Sequence, residues 1–252
     1  MVLYQEYPPC TALAPYLACL WTCHVQPQGQ ALSHRVLPDN CIDILWQDCD
    51  PLGGVAGMMS SVIEVPFARP VRTVAVRFKP GAASYFFDLP LHELIDQHPS
   101  LTDLWTDGLA GRFADALWAR PLSDLQAVAI IERLLLQRLR ASQRRPGMVE
   151  AAVGAIEQSR GTIRIEALAD GLGVSRQHLA SQFKARVGLP AKLFARVCRF
   201  QHASQAIRQG PPPDWAALAL DLGYYDQPHM IHEFQELGGG TPQALWVGGA
   251  AP

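Results

Sequence analysis

The stretch Leu168-Ala169-Asp170-Gly171-Leu172-Gly173 returns fifty positions later as Leu218-Ala219-Leu220-Asp221-Leu222-Gly223, so the pattern Leu-Ala-x-x-Leu-Gly occurs twice. A matching apolar pair follows each copy, Leu179 and Phe183 after the first, Met230 and Phe234 after the second, and each copy closes on a glycine, Gly188 or Gly239. Self-similarity at a fixed offset marks a structural unit used twice. A helix that ends in Leu-Gly, where glycine takes the positive φ that stops it, followed by a polar cap and a second amphipathic helix, spells a helix-turn-helix. Ser175 and Asp226 are the expected N-caps of the two second helices. Ala169 and Ala219 belong where the paired helices cross closely.

In the first unit Leu179, Phe183 and Val187 fall on one stripe at helical spacing and are expected to face the core. Gln177, Ser181 and Lys184 then occupy the opposite face, with Arg176 in the first turn. Short polar and cationic groups on an exposed helix face are what meets base edges and phosphates in a major groove. Between the units, Pro190 to Gln209 carries good helix formers and is closed by Gly210-Pro211-Pro212-Pro213. At 1.5 Å per residue such a helix is a rod of roughly 30 Å. One turn of B-DNA advances about 34 Å, so this spacer would set two reading helices into successive major grooves.

The formal net charge of −2 argues against a phosphate-binding surface spread over the whole molecule. Its distribution argues otherwise. From Val174 to Gly210 there are seven basic residues, Arg176, Lys184, Arg186, Lys192, Arg196, Arg199 and Arg208, and no acidic one. From Pro211 to Pro252 there are five acidic residues and neither Lys nor Arg. The first unit is therefore expected to supply most of the affinity for double-stranded DNA, and the second to add less, through Gln227, His232 and amides at its helix start.

Together these residues resemble the AraC-type family of bacterial transcription regulators over roughly Met148 to Trp246. The most specific pieces are Val174-Ser175-Arg176-Gln177-His178-Leu179 with Phe183-Lys184, and Gly223-Tyr224-Tyr225-Asp226-Gln227-Pro228-His229 with Phe234, Gly239 and Pro242. The resemblance implies a DNA-binding domain built from two helix-turn-helix units on a long helix. It also implies arginines in the reading helices where this chain has Ser181 and His232. That departure shifts the expected DNA-binding set to Ser175, Arg176, Gln177, Ser181, Lys184, Gln227 and His232.

Residues 1 to about 110 change character, with apolar β-formers alternating with Pro and Gly, as in Cys41-Ile42-Asp43-Ile44-Leu45-Trp46 and Val74-Ala75-Val76-Arg77-Phe78. Short strands with turn signals predict a small mixed sheet or partly open barrel. The fold class expected is α+β, with this β-rich domain and some helices ahead of an all-α tandem helix-turn-helix domain. The expected division is 1–110 for a β-rich sensor-like domain, 111–147 for a helical connector and linker, and 148–252 for the DNA-binding domain. Arg35 to Asp43 and Arg77 to Ala83 resemble an amino-terminal domain found ahead of AraC-type domains. By chemistry alone Arg35, Asp39, Asp43 and Arg77 are candidates for orienting an unknown small-molecule effector, with ion pairs and turns as the alternative use. Between Pro121 and Arg145, Leu125, Val128, Ile131, Leu135 and Leu139 recur at helical steps. Such a stripe either packs on its own sheet or forms the homodimer seam that the resemblance allows.

No apolar run approaches the length of a membrane span or a signal peptide, so no membrane partner and a cytoplasmic location are expected. The six cysteines, Cys10, Cys19, Cys23, Cys41, Cys49 and Cys198, include no C-x-x-C pair. His92 and His98 are six apart, whereas a zincin helix needs four. Ser181-Gln182-Phe183-Lys184 lacks the companion motifs of a Ser-x-x-Lys hydrolase, and His229 and His232 lack a third metal ligand. No enzyme, cofactor or metal is therefore expected. The reading is a sequence-specific, effector-responsive transcription regulator, with RNA polymerase as a further partner if it activates. The alternative is a DNA-repair or thiol- or metal-sensing protein with an AraC-like DNA-binding half.

Overall fold

The computed structural model describes residues 1–27, 32–142, 144–209 and 214–247. Seven strands come first: β1 (Val2–Tyr7), β2 (Leu17–Val25), β3 (Leu32–Val36), β4 (Ile42–Gln47), β5 (Asp50–Ala56), β6 (Ile63–Phe67) and β7 (Val71–Phe78). Five form a sheet in the order β1-β2-β7-β4-β5, and β3 pairs with β6 in a separate ribbon. Every described pairing is antiparallel, so the sheets are open and unmixed rather than closed into a barrel. The β7 run Val74-Ala75-Val76 reads as continuously apolar because that strand sits at the centre of the sheet with all three side chains buried.

Helices α1 (Leu101–Leu104), α2 (Leu109–Trp118) and α3 (Asp124–Ala141) follow. The cap of α3 is reciprocal: the Gln126 amide donates to Ser123 Oγ at 3.3 Å, and the Ser123 amide donates to Gln126 Oε1 at 3.0 Å. Of the expected stripe, Val128, Ile131 and Leu135 are buried, Leu139 is half-buried and Leu125 is exposed. α3 meets α2, β2 and β7, so this stripe closes the chain's own sheet. Asp124 pins it there, accepting from Thr22 Oγ1 at 3.1 Å and Arg72 Nη2 at 2.8 Å, with His24 Nε2 at 2.9 Å.

The remaining helices are α4 (Met148–Gln158), α5 (Ile165–Gly171), α6 (Arg176–Val187), α7 (Ala191–Gln209), α8 (Trp215–Asp221), α9 (Gln227–Gly238) and α10 (Pro242–Val247). The turns α5–α6 and α8–α9 are the two copies of the repeated motif, and their stop residues Gly173 and Gly223 take φ of +67° and +80°. Ala169 and Ala219 are fully buried at the crossings. The 19 residues of α7 join the units, a length of about 28 Å at the standard rise. The proposed stop at Gly210–Pro213 lies outside the described residues.

The repetition extends into the core. Phe183 of α6 packs edge-on against Phe194 of α7, with ring centres 5.4 Å apart, and Phe234 of α9 packs edge-on against Phe200 at 4.9 Å. One apolar cluster runs unbroken from the sheet through α2 and α3 into α4, α5, α6 and the first residues of α7. A second, smaller one holds the rest of α7 with α8 and α9, and Leu37 from the amino-terminal half packs against it.

Candidate nucleic-acid interface

The side chains expected to read DNA in the first unit are placed by α6. Ser175 caps the helix, accepting from the His178 amide at 3.2 Å. Leu179, Phe183 and Val187 are fully buried beneath it. That leaves Arg176, Gln177, Ser181 and Lys184 exposed, together with Ser175. Neither Arg176 nor Lys184 has an ion-pair partner among the described residues. The C-terminal end of α6 is different. Gly188 lies so close under the amino-terminal half that a Cβ there would come within 1.9 Å of Met58 Cε and 3.1 Å of the Leu91 carbonyl oxygen.

The second unit repeats the scaffold with another surface. Asp226 caps α9 by accepting the His229 amide at 2.8 Å, and the Tyr225 amide donates to His229 Nδ1 at 3.2 Å. These two amides at the helix start are thus spent within the chain. Met230 and Phe234 are buried, Gln227 is half-buried and His232 is exposed, with its ring 3.9 Å from Glu236. Tyr225, 85% exposed beside the start of α9, is a large aromatic on this surface that the charge pattern does not single out.

The basic run divides into spent and unspent charge. Arg196 Nε donates to Glu233 at 3.0 Å and its Nη1 to Glu236 at 3.1 Å, while Arg199 Nη2 donates to Glu233 at 2.7 Å. Glu233 is only 1% exposed, so a buried carboxylate holds two guanidiniums. The hydrogen bond from Arg196 holds the Glu236 carboxyl below its usual range. Arg199 also lies over the Tyr224 ring, 4.7 Å from its centre. Arg186 is held by Glu150, which accepts the Tyr85 hydroxyl at 2.9 Å on the same oxygen. Three of the seven basic residues therefore build the fold. Sequence reasoning missed this because the acidic partners are 34 to 40 residues away from Arg196 and Arg199, and 36 from Arg186.

The four effector candidates do not converge. Arg77 grips Asp43 with Nε at 3.1 Å and Nη2 at 3.0 Å, and its Nη1 lies 3.6 Å from Asp39. Trp21 Nε1 also donates to Asp43, at 3.3 Å. Burial pushes the Asp43 carboxyl up, to about 6, while the Arg77 guanidinium and the Trp21 indole pull it the other way. Arg35 instead donates to the Gly238 carbonyl at the end of α9. Asp39 lines a cleft of ≈ 610 Å³ between the sheet and α7, beside Asn40, Arg160, His202 and Arg208.

The thiols offer no activated nucleophile among those whose ionisation is perturbed. Burial pushes Cys19 up to about 11 and Cys198 to about 12, and raises Cys23 and Cys41 as well. Among the described residues no three His, Cys, Asp or Glu side chains are grouped to hold a metal ion. No helix among them is long and apolar enough to cross a membrane.

Residues 168–245 match the family model described as "Helix-turn-helix domain", and residues 5–100 match a "Domain of unknown function (DUF6597)". No curated protein matches the chain. Among solved structures, an AraC-type DNA-binding domain-containing regulator from Chromobacterium violaceum is 22% identical at a TM-score of 0.38, covering 42% of this chain and 94% of its own. The C-terminal domain of the response regulator AraT from Geobacillus stearothermophilus is 21% identical at 0.39, covering 42% and 88%. ToxT from Vibrio cholerae is 9% identical at 0.47, covering 86% and 98%.

Proposed function

We propose, from the premise that this chain is a DNA-binding transcription regulator with an AraC-type helix-turn-helix domain, that it reads a specific duplex sequence through two adjacent major grooves and does so chiefly with α6. The observation that carries this reading is the exposed Arg176 and Lys184, without ion-pair partners among the described residues, on a helix whose opposite face is fully buried, a scaffold repeated across the 19-residue helix α7 by a second, weakly charged head. Ser175, Gln177 and Ser181 join them in the first groove, while Gln227 and His232 serve the second.

In this reading the amino-terminal half senses a small molecule and passes its state to the heads through their docked C-terminal ends. Contact with RNA polymerase and pairing with a second copy belong to the same reading. Burial raises the thiols of Cys19 and Cys41, which runs against either of them being the accessible thiolate that the repair alternative needs.

Footprinting on genomic fragments retained by the full chain tests the proposal. It expects two protected patches one helical turn apart on one face of the duplex, with the stronger protection under α6. Retention of no double-stranded fragment at low salt would overturn it.

A further inference from the structure

We propose that the cleft between the sheet and α7 is the effector site, and that its occupant is a small anion that also carries a hydroxyl or amine hydrogen-bond donor. The regulatory part of this inference rests on the function proposed above; the binding part does not.

The cleft holds ≈ 610 Å³, within the range of small-molecule sites. Its floor is Asn40, 4% exposed and held at φ +62°. The Asn40 amide nitrogen donates to the Phe194 carbonyl at 3.1 Å and to Cys198 Sγ at 3.3 Å, both on α7. Its carboxamide oxygen is buried without a partner. A buried acceptor left unmatched costs free energy and is rare in folded proteins, so an unmatched oxygen on a residue that lines the cleft offers a place for an external donor.

The walls supply the charge. Arg160, at the end of α4, and Arg208, on α7, both line the cleft, and neither has an ion-pair partner among the described residues. Asp39, the acid on the sheet side, is spent: it accepts the Cys41 amide at 3.0 Å and faces Arg77. Glu157 lines the cleft as well; burial raises its carboxyl above the ordinary range, against the charge of Lys79. His202 completes the polar wall, its imidazole held down by burial and by the charge of Arg160.

An occupant of this cleft would touch the turn at Asp39–Asn40 and the helix that spaces the two reading heads. Asn40 already ties the two at Phe194. Filling the cleft would therefore change the same contact that fixes α7 against the sheet, giving the ligand differential leverage on the heads.

The chemistry of the arginines has a second source, a DNA phosphate, and the test separates the two. The purified full chain is titrated without DNA by calorimetry and thermal shift at fixed ionic strength. The probes are citrate, gluconate, glutamate and glucose 6-phosphate, with sulfate as the donor-free control. Saturable binding of at least one probe, with Kd of about 1 mM or tighter and sulfate failing to compete, is the expected result. Arg208→Gln, a change at an exposed position, and Arg160→Gln should each weaken that binding at least about tenfold, which is about 1.4 kcal/mol. Binding by none of the probes, or binding unchanged in both variants, would overturn the proposal. So would loss of DNA affinity and salt dependence in both variants with small-anion binding intact, which would assign the arginines to phosphates. Because the titration contains no DNA, failure of the DNA-reading proposal would leave its outcome standing.

Discussion

The amide of Val62 donates to the carbonyl of Leu237 at 3.0 Å, so the last turn of the second reading helix is finished by backbone from the amino-terminal half. Helix ends leave carbonyls without intrahelical partners, and here the β3–β6 ribbon provides for them, with Arg35 donating to Gly238 beside Val62. The first reading helix also ends against that half, at Gly188 beneath Met58 and Leu91. Both helices are thus gripped at their C-terminal ends, while their N-terminal turns face outward.

Arg35→Ala should remove the charged donor at the Gly238 carbonyl. Because Arg35 is itself exposed, the cost is set at about 1 kcal/mol, toward the lower end of the range for hydrogen bonds. Hydrogen exchange would quicken at the last turn of α9 and leave α6 unaltered. Equal quickening in both helices would show that the ribbon does not act locally.

The two heads should differ in their salt response. Lys184→Ala and Arg176→Ala are each expected to lower operator affinity at every sequence and to reduce the slope of log affinity against log salt by about one. His232→Ala should weaken binding and leave that slope nearly unchanged, since His232 is exposed beside Glu236. Affinity measured between about 50 and 200 mM salt decides, and a larger slope change at His232 than at Lys184 would reverse the ranking of the heads.

Glu233→Gln should unfold the second unit selectively. The substitution leaves Arg196 and Arg199 without their buried counter-ion, a change that costs about 3–5 kcal/mol in comparable buried pairs. Denaturation followed by hydrogen exchange should show α8 and α9 lost at denaturant where α6 persists. A single unchanged transition would mean that the pair contributes little.

Acid should loosen α3 before it loosens the sheet. Burial raises the Asp124 carboxyl, but hydrogen bonds from His24, Arg72 and Thr22 prevail and hold it below the ordinary 3.8. A carboxylate lowered on folding adds stability that is fully present above its unfolded value and disappears as pH falls through the folded one. Asp124→Asn should therefore cost about 1–3 kcal/mol near neutrality, and the difference should shrink as pH falls below 3.8 through the lowered folded value. Chemical denaturation across that range would show the two proteins converging at low pH; parallel curves would count against it.

The helical third was legible because its signals are local. The doubled Leu-Ala-x-x-Leu-Gly, the caps Ser175 and Asp226, and the stripe Leu179, Phe183 and Val187 each act within one or two turns, and the structure places them as the spacing requires. The stripe on α3 left two readings open, since periodicity says which face is apolar and not what covers it; β2 and β7 cover it here. Glu233 was opaque for a related reason. It follows the exposed His232 in an acidic stretch, and only the fold brings two arginines of α7 over it. Asn40 gave no signal at all, because its partners at Phe194 and Cys198 are more than 150 positions away.

Because the larger apolar cluster passes from the sheet straight into α6, the first reading head is not a portable cassette. A gene fragment ending after codon 147 would expose the apolar side chains Met58, Tyr85 and Leu91, which lie in the loop after β5 and the short helical turns after β7, and its product would be expected to clump. Engineers wishing to swap specificity would meet less entanglement at the second head, which has a small core of its own and touches the amino-terminal half through Leu37, Arg35 and Val62.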